Sequence, residues 1–238
     1  MAAAPFSWIK PEPHGIHVVP ADCWIDPSRA VDRALVTHGH ADHARGGHGQ
    51  TVATPATLAI MELRYATKEG ATPVEYGETI SLPGGVEATY IPAGHVLGSA
   101  QILLEHAGER VVVTGDYKRR ADPTCPAFEV TPCDIFITEA TFGLPVFCHP
   151  PIEEEMAKLL ERLAAHPDRC VLVGAYALGK AQRVIAELRR AGHTDPIYLH
   201  GAMEKMCRLY EEHGVDLGEL RLVAGYTKDD MSGAVVVS

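Results

Sequence analysis

His38-Gly39-His40-Ala41-Asp42-His43 sets three imidazoles and a carboxylate within six consecutive positions, one residue (Thr37) after the apolar run Ala34-Leu35-Val36. The run reads as a buried strand and the polar residues as the loop at its end. Nitrogen and oxygen donors at this density suit a divalent ion, zinc or manganese. One open catalytic zinc takes about three protein ligands, so a loop this rich points to two ions.

Two more segments repeat the arrangement. Ile91-Pro92-Ala93-Gly94-His95 brings a histidine out of a strand-like run, with Gly98 and Ser99 close behind. Val111-Val112-Val113-Thr114-Gly115-Asp116 brings out an aspartate in the same way. A single histidine or aspartate after a strand is ordinary. Three strand ends carrying ligand-type side chains can converge on one point at a sheet edge.

Around these segments the chain reads as mixed α/β. Ile16–Val19, Cys23–Ile25, Val31–Thr37, Val86–Ile91, Gln101–Glu105, Arg110–Thr114 and Ile135–Ile137 read as strands. Gln101–Glu105 and Arg110–Thr114 form a hairpin around Ala107-Gly108. Thr54-Pro55 starts a helix, with a capping hydroxyl before a first-turn proline. Beyond Pro150-Pro151 the rhythm becomes helix–strand. Ile152, Met156, Leu159, Leu160 and Leu163 share a face, then Val171–Val173, a helix stopped at Gly192, Ile197–Leu199, and a helix from Met203 to Tyr210. That alternation implies a small parallel sheet. A domain junction is expected near residue 150, dividing 1–150 from 151–238. Gly233-Ala234-Val235-Val236-Val237-Ser238 reads as an unprotected hydrophobic strand, a poor terminus, and suggests that the protein continues.

The 238 residues carry a formal net charge of −10, which argues against broad adhesion to nucleic acid. A local basic patch, with Arg45 and Lys118-Arg119-Arg120 as candidates, and bound dications can still receive phosphates. No apolar run approaches a membrane span and no signal core opens the chain, so a cytoplasmic location is expected. The six cysteines form no CxxC pair and read as reduced thiols.

The set His38, His40, Asp42, His43, His95 and Asp116 resembles the metal signature of the metallo-β-lactamase superfamily. The resemblance implies an αββα sandwich. His38, His40 and His95 would hold one ion, Asp42 and His43 the other, and Asp116 would bridge them. Asp26, in Trp24-Ile25-Asp26-Pro27, would brace the metal loop from behind. Ala93–Ala100, Ile137–Gly143 and Val173–Gln182 resemble the nucleic-acid-processing β-CASP branch, whose α/β domain is inserted in the sandwich. Residues 1–150 would then be the metal-binding part and 151–238 the β-CASP-like part. Thr114–Pro126 and Phe142–Phe147 look most like bacterial ligase-associated DNA exonucleases, which implies a DNA repair role alongside a ligase and a helicase.

The resemblance implies metal-dependent phosphodiester hydrolysis, with two ions sharing a water-derived nucleophile, Asp42 orienting it and Glu139 supporting acid–base chemistry. It implies zinc before manganese, and DNA before RNA. Lys180 and Ser99 are candidate phosphate contacts. Full-length relatives carry a further metal histidine in a C-terminal Asp-His motif that nothing after residue 200 matches. A C-terminal portion is therefore expected to be missing, with one ion held well and the second weakly.

Three rivals remain at this stage. Gly174–Lys180 has P-loop spacing, but Ala181 stands where the magnesium-binding hydroxyl belongs. A small-molecule hydrolase, lactamase- or thioesterase-like, fits the fold but not a β-CASP-like second half. A non-catalytic nucleic-acid-binding fragment fits a chain short of its last ligand.

Overall fold

The computed structural model describes residues 6–66 and 69–238. The chain divides into two compact units, Met1–Glu139 and Ala140–Ser238. The junction expected near 150 lies within the irregular segment, 140–151, that opens the second unit.

The first unit holds β1 (Ile9–Glu12), β2 (Gly15–Val18), β3 (Cys23–Ile25), β4 (Arg33–Leu35), β5 (Gln50–Ala53), α1 (Pro55–Tyr65), β6 (Ala71–Pro73), β7 (Thr79–Leu82), β8 (Val86–Pro92), β9 (Ala100–His106), β10 (Glu109–Val113) and β11 (Ile135–Ile137). Strands β1 to β6 form one sheet in chain order, and the other runs β11-β10-β9-β8-β7. The inner faces share one core: Ile25, Leu35 and Val52 from the first sheet meet Tyr90, Ile102, Leu104 and Val111 from the second. Burying each Leu or Ile contributes roughly 1.5–3 kcal/mol. The other face of the first sheet buries Ala34, Val36 and Ala53 with Met61 of α1.

Strand direction positions the site. β3 and β4 are parallel neighbours, pairing Ile25 with Leu35, so Asp26 and the His38 loop leave the same edge. β8 and β10 both run antiparallel to β9, and β10 runs parallel to β11. The segments bearing His95, Asp116 and Glu139 therefore follow three strands that point one way.

The second unit contains α2 (Ile152–Ala165), β12 (Val171–Val173), α3 (Lys180–Arg190), β13 (Ile197–Leu199), α4 (Gly201–Glu212), β14 (Leu220–Leu222) and β15 (Val235–Val237). The expected parallel sheet is present, in the order β12-β15-β13-β14. One expectation is corrected. The Val235–Val237 strand is not unprotected: it lies between β12 and β13 and is buried throughout. Three consecutive valines suit a strand covered on both faces. Arg189 ties the surrounding loops, donating to the carbonyls of Leu217, His193, Asp195 and Glu219. Among the described residues no helix is long and apolar enough to cross a membrane.

Candidate metal centre

Four of the predicted ligands meet. One donor atom from each of His38, His40, His95 and Asp116 lies within 4.8 Å of every other. His40 Nδ1 is 3.0 Å from His38 Nε2 and 3.2 Å from His95 Nε2. Asp116 Oδ2 is 3.9 Å from His38 Nε2 and 3.6 Å from His95 Nε2. Four ligands placed tetrahedrally about 2.1 Å from zinc stand roughly 3.4 Å apart. The spacing and the N₃O donor set thus fit one divalent ion. Protons shared pairwise cannot satisfy three imidazole nitrogens and a carboxylate facing a common point; a cation can.

Charge favours the ligand form. Burial, together with the His43, His95 and His40 rings, holds His38 well below the usual imidazole range. Burial and His40 bring His95 down to about 4. Both rings are therefore neutral at pH 7, as metal ligation requires. The hydrogen bond from His43 keeps Asp116 below the usual carboxylate range, so it is ionised.

His43 stands beside this group. Its Nδ1 lies 2.8 Å from Asp26 Oδ2, and its Nε2 lies 3.4 Å from Asp116 Oδ1 and 3.8 Å from Asp42 Oδ2. Burial opposes the charged ring, but hydrogen bonds to Asp116 and Asp26 outweigh it and raise His43 to about 10. In this state His43 holds both protons. Asp42 sits at the mouth with its side chain 79% exposed. Asp26, Asp42, His43, Asp116 and Glu139 line one cleft of about 260 Å³.

Asp26 bonds to Thr37 and His43. It takes a left-handed backbone (φ 46°), a conformation aspartate tolerates better than most residues. Its Oδ1 accepts the Thr37 amide at 2.8 Å, and its Oδ2 accepts both Thr37 Oγ1 at 2.6 Å and His43.

Thr37 is the residue that the sequence reading passed over. Its hydroxyl proton goes to Asp26, so Oγ1 can only accept from His38 Nδ1, 3.1 Å away. That fixes the His38 proton on Nδ1 and leaves the Nε2 lone pair facing His40, His95 and Asp116. The Thr37 carbonyl also accepts the Ala100 amide at 2.8 Å, tying in the segment after His95. Its place directly before His38 was the only available signal.

Ser99 is buried, and its hydroxyl accepts the amides of His95 and Val96 at 3.0 and 3.1 Å. It shapes the His95 loop from inside rather than facing a substrate. Lys180 belongs to the second unit, exposed at the start of α3, with its ammonium 5.2 Å from the centre of the Tyr176 ring. All six cysteines are free thiols.

Residues 26–174 match the family described as the metallo-beta-lactamase superfamily. A probable DNA ligase of Opitutus terrae is 32% identical over 85% of this chain and 20% of its own length. An endoribonuclease of Mycosarcoma maydis is 28% identical over 84% of the chain and 27% of its own length. A ribonuclease of Thermus thermophilus is 31% identical over 75% and 48%. The chain thus spans a fifth to about a half of these curated relatives. A solved Enterococcus faecalis protein of unknown function shares the fold, with a TM-score of 0.57 at 12% identity, over 86% of this chain and 61% of that one.

Proposed function

Because this chain belongs to the metallo-beta-lactamase superfamily, with relatives in its β-CASP branch, we propose that it is a metal-dependent nuclease and takes DNA as its substrate. The observation that carries the reading is the meeting of His38, His40, His95 and Asp116 at 3.0–3.9 Å.

Bound divalent ions, zinc before manganese, supply a water-derived nucleophile near neutral pH and neutralise charge on the scissile phosphate. The protein's own residues organise that chemistry. His38, His40 and His95 present neutral nitrogens, and Asp116 joins their group to His43. Asp42, exposed at the cleft mouth, orients the attacking water and helps His43 hold a second ion. His43 would give up its Nε2 proton to serve as a ligand there, which would make that second place the weaker one. Asp26 and Thr37 keep the rings of His43 and His38 in register. Glu139, on the same cleft, supports the acid–base chemistry. Lys180, exposed at the start of α3, is a phosphate contact presented by the second unit.

A DNA substrate is favoured by the similarity to a probable DNA ligase over most of the chain, and exonucleolytic cleavage in repair is the form proposed for it. RNA is the second reading, favoured by the endoribonuclease and ribonuclease relatives. The six free thiols suit a reducing, cytoplasmic setting. The test sets end-labelled single-stranded DNA against RNA of the same sequence, with manganese or zinc, using the wild type and Asp116→Ala. DNA cleavage lost by more than about 100-fold in the variant is expected. Cleavage of neither polymer, with turnover of a thioester instead, overturns the nuclease reading.

A further inference from the structure

Helix α1 touches both loops that carry the histidine ligands. At its N-terminus the hydroxyls of Thr54 and Thr57 both donate to the Gly98 carbonyl, at 2.6 and 2.9 Å. Gly98 lies three residues past His95. At its C-terminus Arg64 Nη1 donates to the Gly39 carbonyl at 3.1 Å, and the Tyr65 hydroxyl donates to the Ala44 carbonyl at 2.6 Å. Those two carbonyls bracket His40, Asp42 and His43.

The middle of the helix presses on the first loop as well. A Cβ at Gly39 would lie 2.5 Å from Ile60 Cγ2, and one at Gly98 would lie 2.6 Å from the Thr57 amide. Each loop therefore offers α1 a glycine where any side chain would collide. Gly98 also takes a positive φ of 78°, which suits glycine. Helix capping does not explain this pattern. Thr54 is the N-cap and accepts from the Thr57 amide, yet its proton and that of Thr57 go out to the same foreign carbonyl. Arg64 and Tyr65 likewise give their protons to the loop rather than to the helix.

We propose that α1 is a splint that sets the distance between the His38–His43 loop and the His95 loop, with Thr57, Arg64 and Tyr65 as positioning residues for the metal ligands. The inference rests on the metal-centre reading above. A helix is stiff along its axis, so fixing a loop at each end transmits one spacing to both. Releasing either end lets His40 and His95 drift from their 3.2 Å approach, and ion affinity falls while the fold persists.

Cobalt(II) titration of the whole 238-residue protein, followed by the visible absorption of the bound ion, tests this. Tyr65→Phe and Thr57→Val are each expected to weaken cobalt binding about ten-fold and to lower the band intensity. Val86→Ala is the control: it thins the core between the two sheets, which holds no α1 residue, at the end of β8 away from His95, so it lowers the melting temperature and leaves cobalt affinity at the wild-type value. Arg64→Gln, at an exposed side chain, replaces Tyr65→Phe if that variant does not fold. Wild-type affinity in Tyr65→Phe and Thr57→Val, or an equal loss in Val86→Ala, overturns the splint. A wild-type protein that takes up no cobalt overturns the metal centre beneath it.

Discussion

The Thr37 hydroxyl decides which nitrogen of His38 carries the proton. Thr37→Val keeps the shape but removes that hydroxyl, leaving Asp26 and His38 Nδ1 each one partner short. Metal affinity is expected to fall about ten- to a hundred-fold, with Thr37→Ser retaining most of it, as read by competition with a chelating dye. The histidines also set the pH response of the metal-free protein. His43 is raised to about 10, so it contributes stability below pH 6.5 that is lost as pH rises towards 10. His95 is lowered to about 4, so stability is lost as pH falls from 6.5 towards 4. Melting temperature of the metal-free protein should peak near pH 6.5, and His43→Gln should flatten the alkaline side. An alkaline slope unchanged in that variant would refute the assignment. At this scale the sequence was legible wherever chemistry names the residue. Four predicted ligands converge, and Asp26 bonds to Thr37 and His43. Ser99 and Thr37 were not legible in their actual roles. A buried hydroxyl's partner is chosen by distant strands, and its neighbours in the chain carry no trace of it.

Among the elements, the strands with apolar runs were readable: Cys23–Ile25, Val86–Pro92, Ala100–His106, Glu109–Val113 and Ile135–Ile137 all stand where the pattern puts them. The strands Ile9–Glu12, Gln50–Ala53, Ala71–Pro73, Thr79–Leu82 and Leu220–Leu222 went unread. They are three or four residues long, and three carry threonine and two carry proline in place of an apolar run. Pairing partners define them, not composition. β15 shows the same effect in reverse. Its valines looked like an exposed end because the two strands that flank it, β12 and β13, lie more than thirty residues away in sequence. Its central place gives a direct expectation. Val237→Asp puts an unpaired carboxylate in the middle of the parallel sheet and should cost more than about 3 kcal/mol. Loss of cooperative melting in the 140–238 unit, seen by circular dichroism, checks this; a variant as stable as wild type would remove β15 from the core.

The molecule as a whole is an acidic chain proposed to act on a polyanion. At a net charge of −10, its attraction for nucleic acid has to come from bound dications and a few local cations. Binding of labelled single-stranded DNA should be feeble in chelator, should strengthen on adding metal, and should fall steeply with salt. Metal-independent binding of equal strength would favour a scaffold role over a nuclease. All of this depends on one cation drawing three histidines and an aspartate together from three strand ends. The most direct test is a crystal of the protein grown with zinc, with anomalous diffraction recorded on both sides of the zinc edge. The account predicts a strong peak roughly 2.0–2.2 Å from His38 Nε2, His40 Nδ1, His95 Nε2 and an Asp116 oxygen. Full occupancy of zinc at some other place, with these four side chains still sharing protons among themselves, would contradict it.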